Sequence, residues 1–249
     1  MKDGSVARKK NPNPTAETLK GLEESGDRVA EWAAENAALI LGAIAAVLVI
    51  AGAAGLYVQQ DANSRDAAAD SLALATSQYR QAMGADPVEG PIPEPANPEL
   101  GEKTRSEYVE RFVQVARDHE NTTAGALAWL EAGQLQTELG RLEAAAESFG
   151  RARDAAKGSA IEALGSVRLA SLAEGRGDAA TAASAYEAAA DVTAYPLRAG
   201  ALADAARCWV EAGEEDKALA AFQRLEVEFP DGTIPPHISS LMAAIRLAK

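Results

Sequence analysis

Few residues of this 249-residue chain are of the types that do chemistry, and their spacing points away from it. His119 and His237 are the only histidines and Cys208 is the only cysteine. No cysteine or carboxylate cluster accompanies either histidine at ligand spacing, so no transition-metal site is expected. His119-Glu120 sets an acid beside a base, but neighbours i and i+1 on a helix point away from each other, and the pair reads as a solvated face. A single cysteine forms no intrachain disulfide, and Cys208, on the apolar stripe of a helix, is expected to be a small buried hydrophobe. Gly21 and Gly26 have the glycine spacing of a phosphate loop, but Asp27 stands where that loop needs lysine. There is no Gly-x-Ser-x-Gly elbow and no His-Glu-x-x-His. Glu143, Glu147 and Glu187 read as ordinary surface charge. The expectation is a protein without catalytic residues, cofactor or metal: a binding protein, not an enzyme, with a cell-wall enzyme as the least supported reading.

The elements that carry these residues are expected to be helices. Apolar residues make up 47% of the chain and aromatics 5%, and much of the apolar share is alanine, the best helix former and a poor strand former. The net charge of −13 is uneven: residues 1–58 carry six Lys/Arg against seven Asp/Glu, and residues 59–249 carry eighteen against thirty. Such an acidic region repels phosphate backbones, which argues against nucleic acid as a partner.

From Ala37 to Val58 no residue is charged. As a helix these residues would span roughly 33 Å, enough for a hydrocarbon core of about 30 Å. Trp32 and Tyr57 flank the run where amphipathic rings prefer the two interfaces. A cleaved signal peptide would have a shorter apolar core behind a shorter leader, so residues 37–58 are expected to be an uncleaved transmembrane anchor, although Ala51, Gly52 and Ala53 would permit cleavage. Lys2, Arg8, Lys9, Lys10, Lys20 and Arg28 precede the run, and only Arg65 and Arg80 follow closely, which places residues 1–36 in the cytoplasm and exports residues 59–249. Within 1–36, Asn11-Pro12-Asn13-Pro14 reads as a disordered start. Residues 15–35 read as a short amphipathic helix able to lay Leu19, Leu22, Val29 and Trp32 along the membrane surface. The small-residue pairs Gly42/Ala46 and Ala51/Gly55 are spaced for close helix approach, but an Ala/Gly-rich span supplies such pairs by chance.

The exported part repeats itself. Gly140, Gly177 and Gly213 are each followed at +5, +9 and +12 by a small residue, an aromatic, and a small or apolar residue: Ala145, Phe149, Ala152; Ala182, Tyr186, Ala189; Ala218, Phe222, Leu225. Gly133, Ala170 and Ala206 stand seven residues before each glycine. A period of 37 and then 36 residues is slightly longer than the 34 of a tetratricopeptide repeat (TPR). The expected unit is a helical hairpin. Glycine makes the turn from helix A to helix B, small residues allow a close crossing, and the aromatic fills the space between successive hairpins, which must stack to bury their apolar faces. The fold class is therefore all-α, a TPR-like α-solenoid of three clear hairpins. A degenerate hairpin precedes them, with helix A over 64–83 and helix B over 102–118 around Phe112. A C-terminal capping helix carries Ile238, Leu241, Met242 and Ile245. The Pro-rich insert, 84–101, interrupts the first unit. With five prolines between Pro87 and Pro98 it is expected to be an extended surface spacer, a proline-rich ligand for a binding domain being the other reading.

These features resemble the YfgM-type TPR proteins, ancillary subunits of the bacterial SecYEG translocon. The residues that carry the resemblance are the Gly/Ala-rich span continued by Arg65-Asp66-Ala67-Ala68, Phe112 with Ala116, the run Glu120-Asn121-Thr122-Thr123-Ala124-Gly125-Ala126-Leu127-Ala128, and the closing helix from His237 to Lys249. The Pro-rich insert departs from the short connection of that family. The resemblance implies an inner-membrane protein with a periplasmic repeat domain that associates with translocon subunits, a periplasmic chaperone of the isomerase type, and exported clients.

TPR resemblance also implies a concave binding face lined by helices A. The candidates there are Leu127, Leu130, Gln134, Thr137 and Glu138 from the first clear unit, Leu164, Val167, Ser171 and Glu174 from the second, and Ala203, Arg207 and Val210 from the third. Their apolar share suits extended client segments. The alternative function is an envelope scaffold organising a division, motility or secretion complex, though the lipid-acceptor cysteine frequent in such proteins is absent from the N-terminal region.

Overall fold

Only helices occur among the described residues, which in this computed structural model are 37–230, 234 and 236–248; within the first helix the described side chains are Val49, Ala51, Gly52 and those from Val58 onward. The helices are α1 (Ala37–Ala82), α2 (Pro98–Asp118), α3 (Thr123–Glu138), α4 (Leu142–Ala155), α5 (Ala160–Gly175), α6 (Ala179–Asp191), α7 (Arg198–Glu211), α8 (Glu215–Glu228) and α9 (Pro236–Ala248). The chain divides into two compact units, Met1–Gln60 and Asp61–Lys249.

In the first unit, the expected cytoplasmic segment and amphipathic helix lie outside the described residues. The backbone of the expected anchor belongs to α1, and most of its side chains lie outside the described residues. Among the described residues no helix is long and apolar enough to cross a membrane.

In the second unit each helix from α2 to α8 packs against the next, and α3 also meets α5, the order of stacked helical hairpins in an α-solenoid. The three repeat glycines end α3, α5 and α7 in the same way. Gly140, Gly177 and Gly213 have φ of +70°, +75° and +76°. Their N–H groups donate to Thr137, Glu174 and Val210, and the residues that follow them donate to Gln136, Ala173 and Trp209. This pairing of bonds is the Schellman motif, which needs a left-handed residue that glycine supplies without a Cβ clash. The turns from A to B have three residues each, and those from B to A are longer, Ala156–Ser159 with four and Val192–Leu197 with six; the first period is also lengthened by the 16 residues of α5.

The degenerate first unit closes in the same way. Gly84 has φ +83°, its N–H donates to Gln81, and Ala85 donates to Arg80. Its helix B starts at Pro98, earlier than the expected 102. Asn97 is the reason: its Oδ1 accepts from the N–H groups of Glu99 and Leu100, and Pro98 fills the first helical position, where no N–H is needed. The insert is therefore shorter than 84–101, and residues 98–101 form the first turn of α2.

The cores follow the repeat. Phe149 is buried with Ala145 and Leu172, and it presses on Gly133, where an added Cβ would lie 2.6 Å from the ring. The aromatic thus fills both the crossing within its own hairpin and the seam to α5. Ala170, Ala182, Tyr186, Ala206, Ala218 and Phe222 share one larger core, which Ile238, Met242 and Ile245 of α9 cover at the C-terminal end. In the first unit Tyr79 and Met83 pack with Phe112 and Leu135, and the Tyr79 ring meets Phe112 edge-on.

Candidate interaction surface

A cleft of about 740 Å³ opens between α1, the start of the Pro-rich insert and the N-terminal turn of α3. Leu72, Ala73, Val88 and Leu127 give it apolar walls, and Arg65 and Arg80 also line it. The turn that forms one wall is tightly built. Thr122 Oγ1 accepts from the Gly125 N–H at 3.0 Å and donates to the His119 carbonyl at 2.8 Å, capping α3 and tying it to the end of α2. An added Cβ on Gly125 would lie 2.1 Å from that carbonyl oxygen, so the close approach of α3 to α2 requires glycine there. His119 follows the last residue of α2 and meets Ser71 Oγ of α1 through Nε2 at 3.2 Å. The His119-Glu120 pair therefore sits at a helix end, not along a helical face.

A second recess of about 510 Å³ lies between α1, α2, α3 and the middle of the insert. Arg105 of α2 donates to Glu138 of α3 at 3.0 Å and to Glu94 of the insert. Upstream, Arg80 donates to the carbonyl oxygens of Asp86, Glu89 and Gly90. Asp86 Oδ1 accepts from the N–H groups of Val88 and Glu89, which hold its carboxyl below the usual range. The insert is thus an exposed surface segment, as expected, but one fastened at two points to the first hairpin.

The expected concave face divides. Leu127 lines the first cleft, and Gln134 and Glu138 line the second recess. Thr137 is turned back on its own helix, with its hydroxyl donating to the Gly133 carbonyl. Leu130 is partly buried and packs against two core clusters. Val167 and Val210 pack against the large core. Ala203 is 4% exposed within that core and offers nothing to a partner; its helix-A register points to the concave face, but α7 is overlaid on both sides and buries most of its small residues. Leu164 and Ser171 are exposed on α5.

Glu174 and Arg207 meet each other at 2.6 Å. Tyr186 donates its hydroxyl to Glu174 at 2.6 Å, and Arg207 also donates to Glu211 at 3.0 Å. Burial opposes the charged form of Glu174, but the hydrogen bonds from Tyr186 and Arg207 outweigh it and hold the carboxyl below its usual value. Cys208 joins them, and Glu174, Cys208 and Glu211 are the one trio of potential metal ligands that converges among the described residues. Arg207 already neutralises both carboxylates, and burial pushes the thiol up to about 12, so the cluster is built as an ion-pair network around a protonated sulfur.

Tyr79, Arg80, Glu94 and Arg105 were not legible as site residues. The insert breaks the repeat period, so nothing in the spacing showed which hairpin face it would return to. The chain matches no model of a known protein family and no curated protein.

Proposed function

We propose that the chain is a membrane-anchored protein-interaction module of TPR-like architecture, an ancillary translocon subunit or chaperone adaptor that holds extended segments of exported proteins. The observation that carries this reading is the open apolar cleft walled by Leu72, Val88 and Leu127. Its volume falls within the range of about 300–1,000 Å³ typical of ligand sites, room for a few side chains of an extended segment. Val88 is 80% exposed, so this side of the cleft is open to solvent. The repeat caps and the small-residue crossings support TPR-like architecture. The anchor is supported by the charge-free run 37–58 and by Val49 and Val58, which are exposed apolar side chains on a helix. The excess of Lys/Arg ahead of the run supports export of the repeat domain, to the periplasm as the family resemblance implies.

The test is co-purification from membranes in mild detergent, with bound proteins identified by mass spectrometry. Recovery of translocon channel subunits together with a periplasmic isomerase is the expected result. Recovery of division, motility or secretion components without translocon would replace the adaptor by an envelope scaffold.

A further inference from the structure

We propose that Arg105, at the edge of the second recess, is the centre of a peptide-binding seat, that Pro93-Glu94-Pro95, which lies on Arg105 and closes one wall of that recess, is its resident ligand, and that the seat accepts from a partner an extended segment carrying glutamate between prolines. The proposal rests on the reading of the chain as a protein-interaction module and adds a second site with its own recognition chemistry.

The seat is shaped for this occupant. Arg105 is only 14% exposed in its side chain, yet it keeps donors for two carboxylates, Glu138 beside it and Glu94 opposite. The hydrogen bond from Arg105 holds Glu94 below the usual carboxylate range. Gly101, in the first turn of α2, lies against both partners: an added Cβ would meet Pro95 Cγ at 3.4 Å and Glu94 Oε1 at 3.5 Å in ordinary contact, and Arg105 Nη1 more tightly at 3.2 Å. Tyr79 and Leu135, both buried, line the recess together with Ile92 and Pro93. Upstream of the segment, Arg80 holds the insert through the backbone carbonyls of Asp86, Glu89 and Gly90, which fixes its course without reading its sequence. The sequence is read at Arg105. Alternating prolines keep such a segment extended before it binds, so little order is lost on docking.

Glu94 is 67% exposed in its side chain, and an ion pair with one partner so wet holds weakly. A tethered ligand nevertheless acts at an effective concentration on the order of millimolar, which keeps the seat filled until a competing segment arrives. Occupation in cis therefore sets a threshold that a partner segment must exceed.

The experiment uses the full chain in mild detergent and a fluorescein-labelled peptide with the sequence of residues 90–97, read by anisotropy. The seat is emptied by the triple substitution Pro93→Gly, Glu94→Ser, Pro95→Gly. The emptied variant is expected to bind the peptide at least about tenfold more tightly than the unsubstituted chain, and a peptide with glutamine in place of its glutamate about tenfold less tightly. Arg105→Gln on the emptied variant is expected to abolish the tight binding, with circular dichroism reporting retained helicity. If that variant loses helicity, the glutamine peptide carries the test alone. Equal affinity in the filled and emptied proteins, or indifference to the glutamate, would overturn the proposal. A dimer that disappears in Glu94→Gln, seen by light scattering, would give the seat to a second copy and overturn the partner assigned here. Client crosslinking at the first cleft is independent of all these readings, so failure here leaves the proposed function standing.

Discussion

Replacing Gly125 by alanine tests the most tightly specified junction in the chain. The added Cβ would lie 2.1 Å from the His119 carbonyl oxygen and 2.8 Å from its carbon, whereas ordinary contact begins near 3.4 Å. Relief therefore requires a backbone shift of more than an ångström. The carbonyl is not free to move, because it accepts from both the N–H and the hydroxyl of Thr122. Overpacking of this kind costs about 1–3 kcal/mol, and loss of the Thr122 cap adds about 1 kcal/mol. Alanine returns about 1 kcal/mol as the better helix former. The net loss is about 2 kcal/mol, or roughly 4–8 °C in Tm for a domain of this size. Gly150→Ala is the control: it lies inside α4 with nothing within 4 Å of an added Cβ, so propensity acts alone and the protein gains about 0.5–1 kcal/mol. Thermal unfolding followed at 222 nm reads both variants. A Gly125→Ala protein as stable as the unsubstituted chain would refute the packing argument, as would shifts of the same sign in the two variants.

Three further outcomes are expected. Gly177→Ala forces an alanine to φ +75° at a helix end and should cost about 1–2 kcal/mol in denaturant unfolding. Cys208, fully buried with its thiol pushed up to about 12, should resist alkylation at pH 8 in the folded chain and react only in denaturant. Glu174→Gln should cost about 1–2 kcal/mol at pH 7, a value reduced for partial exposure. The folded carboxyl titrates below the ordinary glutamate value of 4.5, so its stabilisation is complete above that value and is lost as the pH falls through the folded value. The gap in Tm between the two proteins should therefore close below pH 4.5, and a gap that widens there would contradict the assigned hydrogen bonds. Asp204, raised by burial and in part by the charge on Glu174, loses that repulsion in the variant, which narrows the gap at pH 7 without changing its direction.

The repeat was legible because its glycines, small residues and aromatics each answer one local demand. Gly140, Gly177 and Gly213 supply a left-handed cap, and Gly133 admits the Phe149 ring. The first unit was harder to read. Gly84 makes the same cap, but the insert that follows it hides the period, and Asn97 extends α2 backwards by capping it. The binding face was read least well. Register alone assigns Ala203, Val167 and Val210 to an open groove, yet the stacking of hairpins on both sides draws them into or against the core. Register cannot report how deeply a neighbouring hairpin overlaps a small residue. The insert's return to Arg80 and Arg105 depends on contacts between segments far apart in order, and no periodicity encodes those. The Asn-Thr-x-x-Gly run did stand out in the sequence, and its basis is the Thr122 cap and the Gly125 crossing.

The central claim, that the cleft between α1 and α3 holds segments of exported proteins, is tested most directly by photo-crosslinking in native membranes. A photoreactive residue would replace Val88 at the cleft wall and, as a control, Val227 on the exposed surface of α8. Both positions are exposed, so neither substitution should disturb folding. The account predicts crosslinks to translocating polypeptides from position 88, absent from position 227 and lost when translocation is blocked. Equal crosslinking from the two positions, or none from position 88 while translocation proceeds, would contradict it.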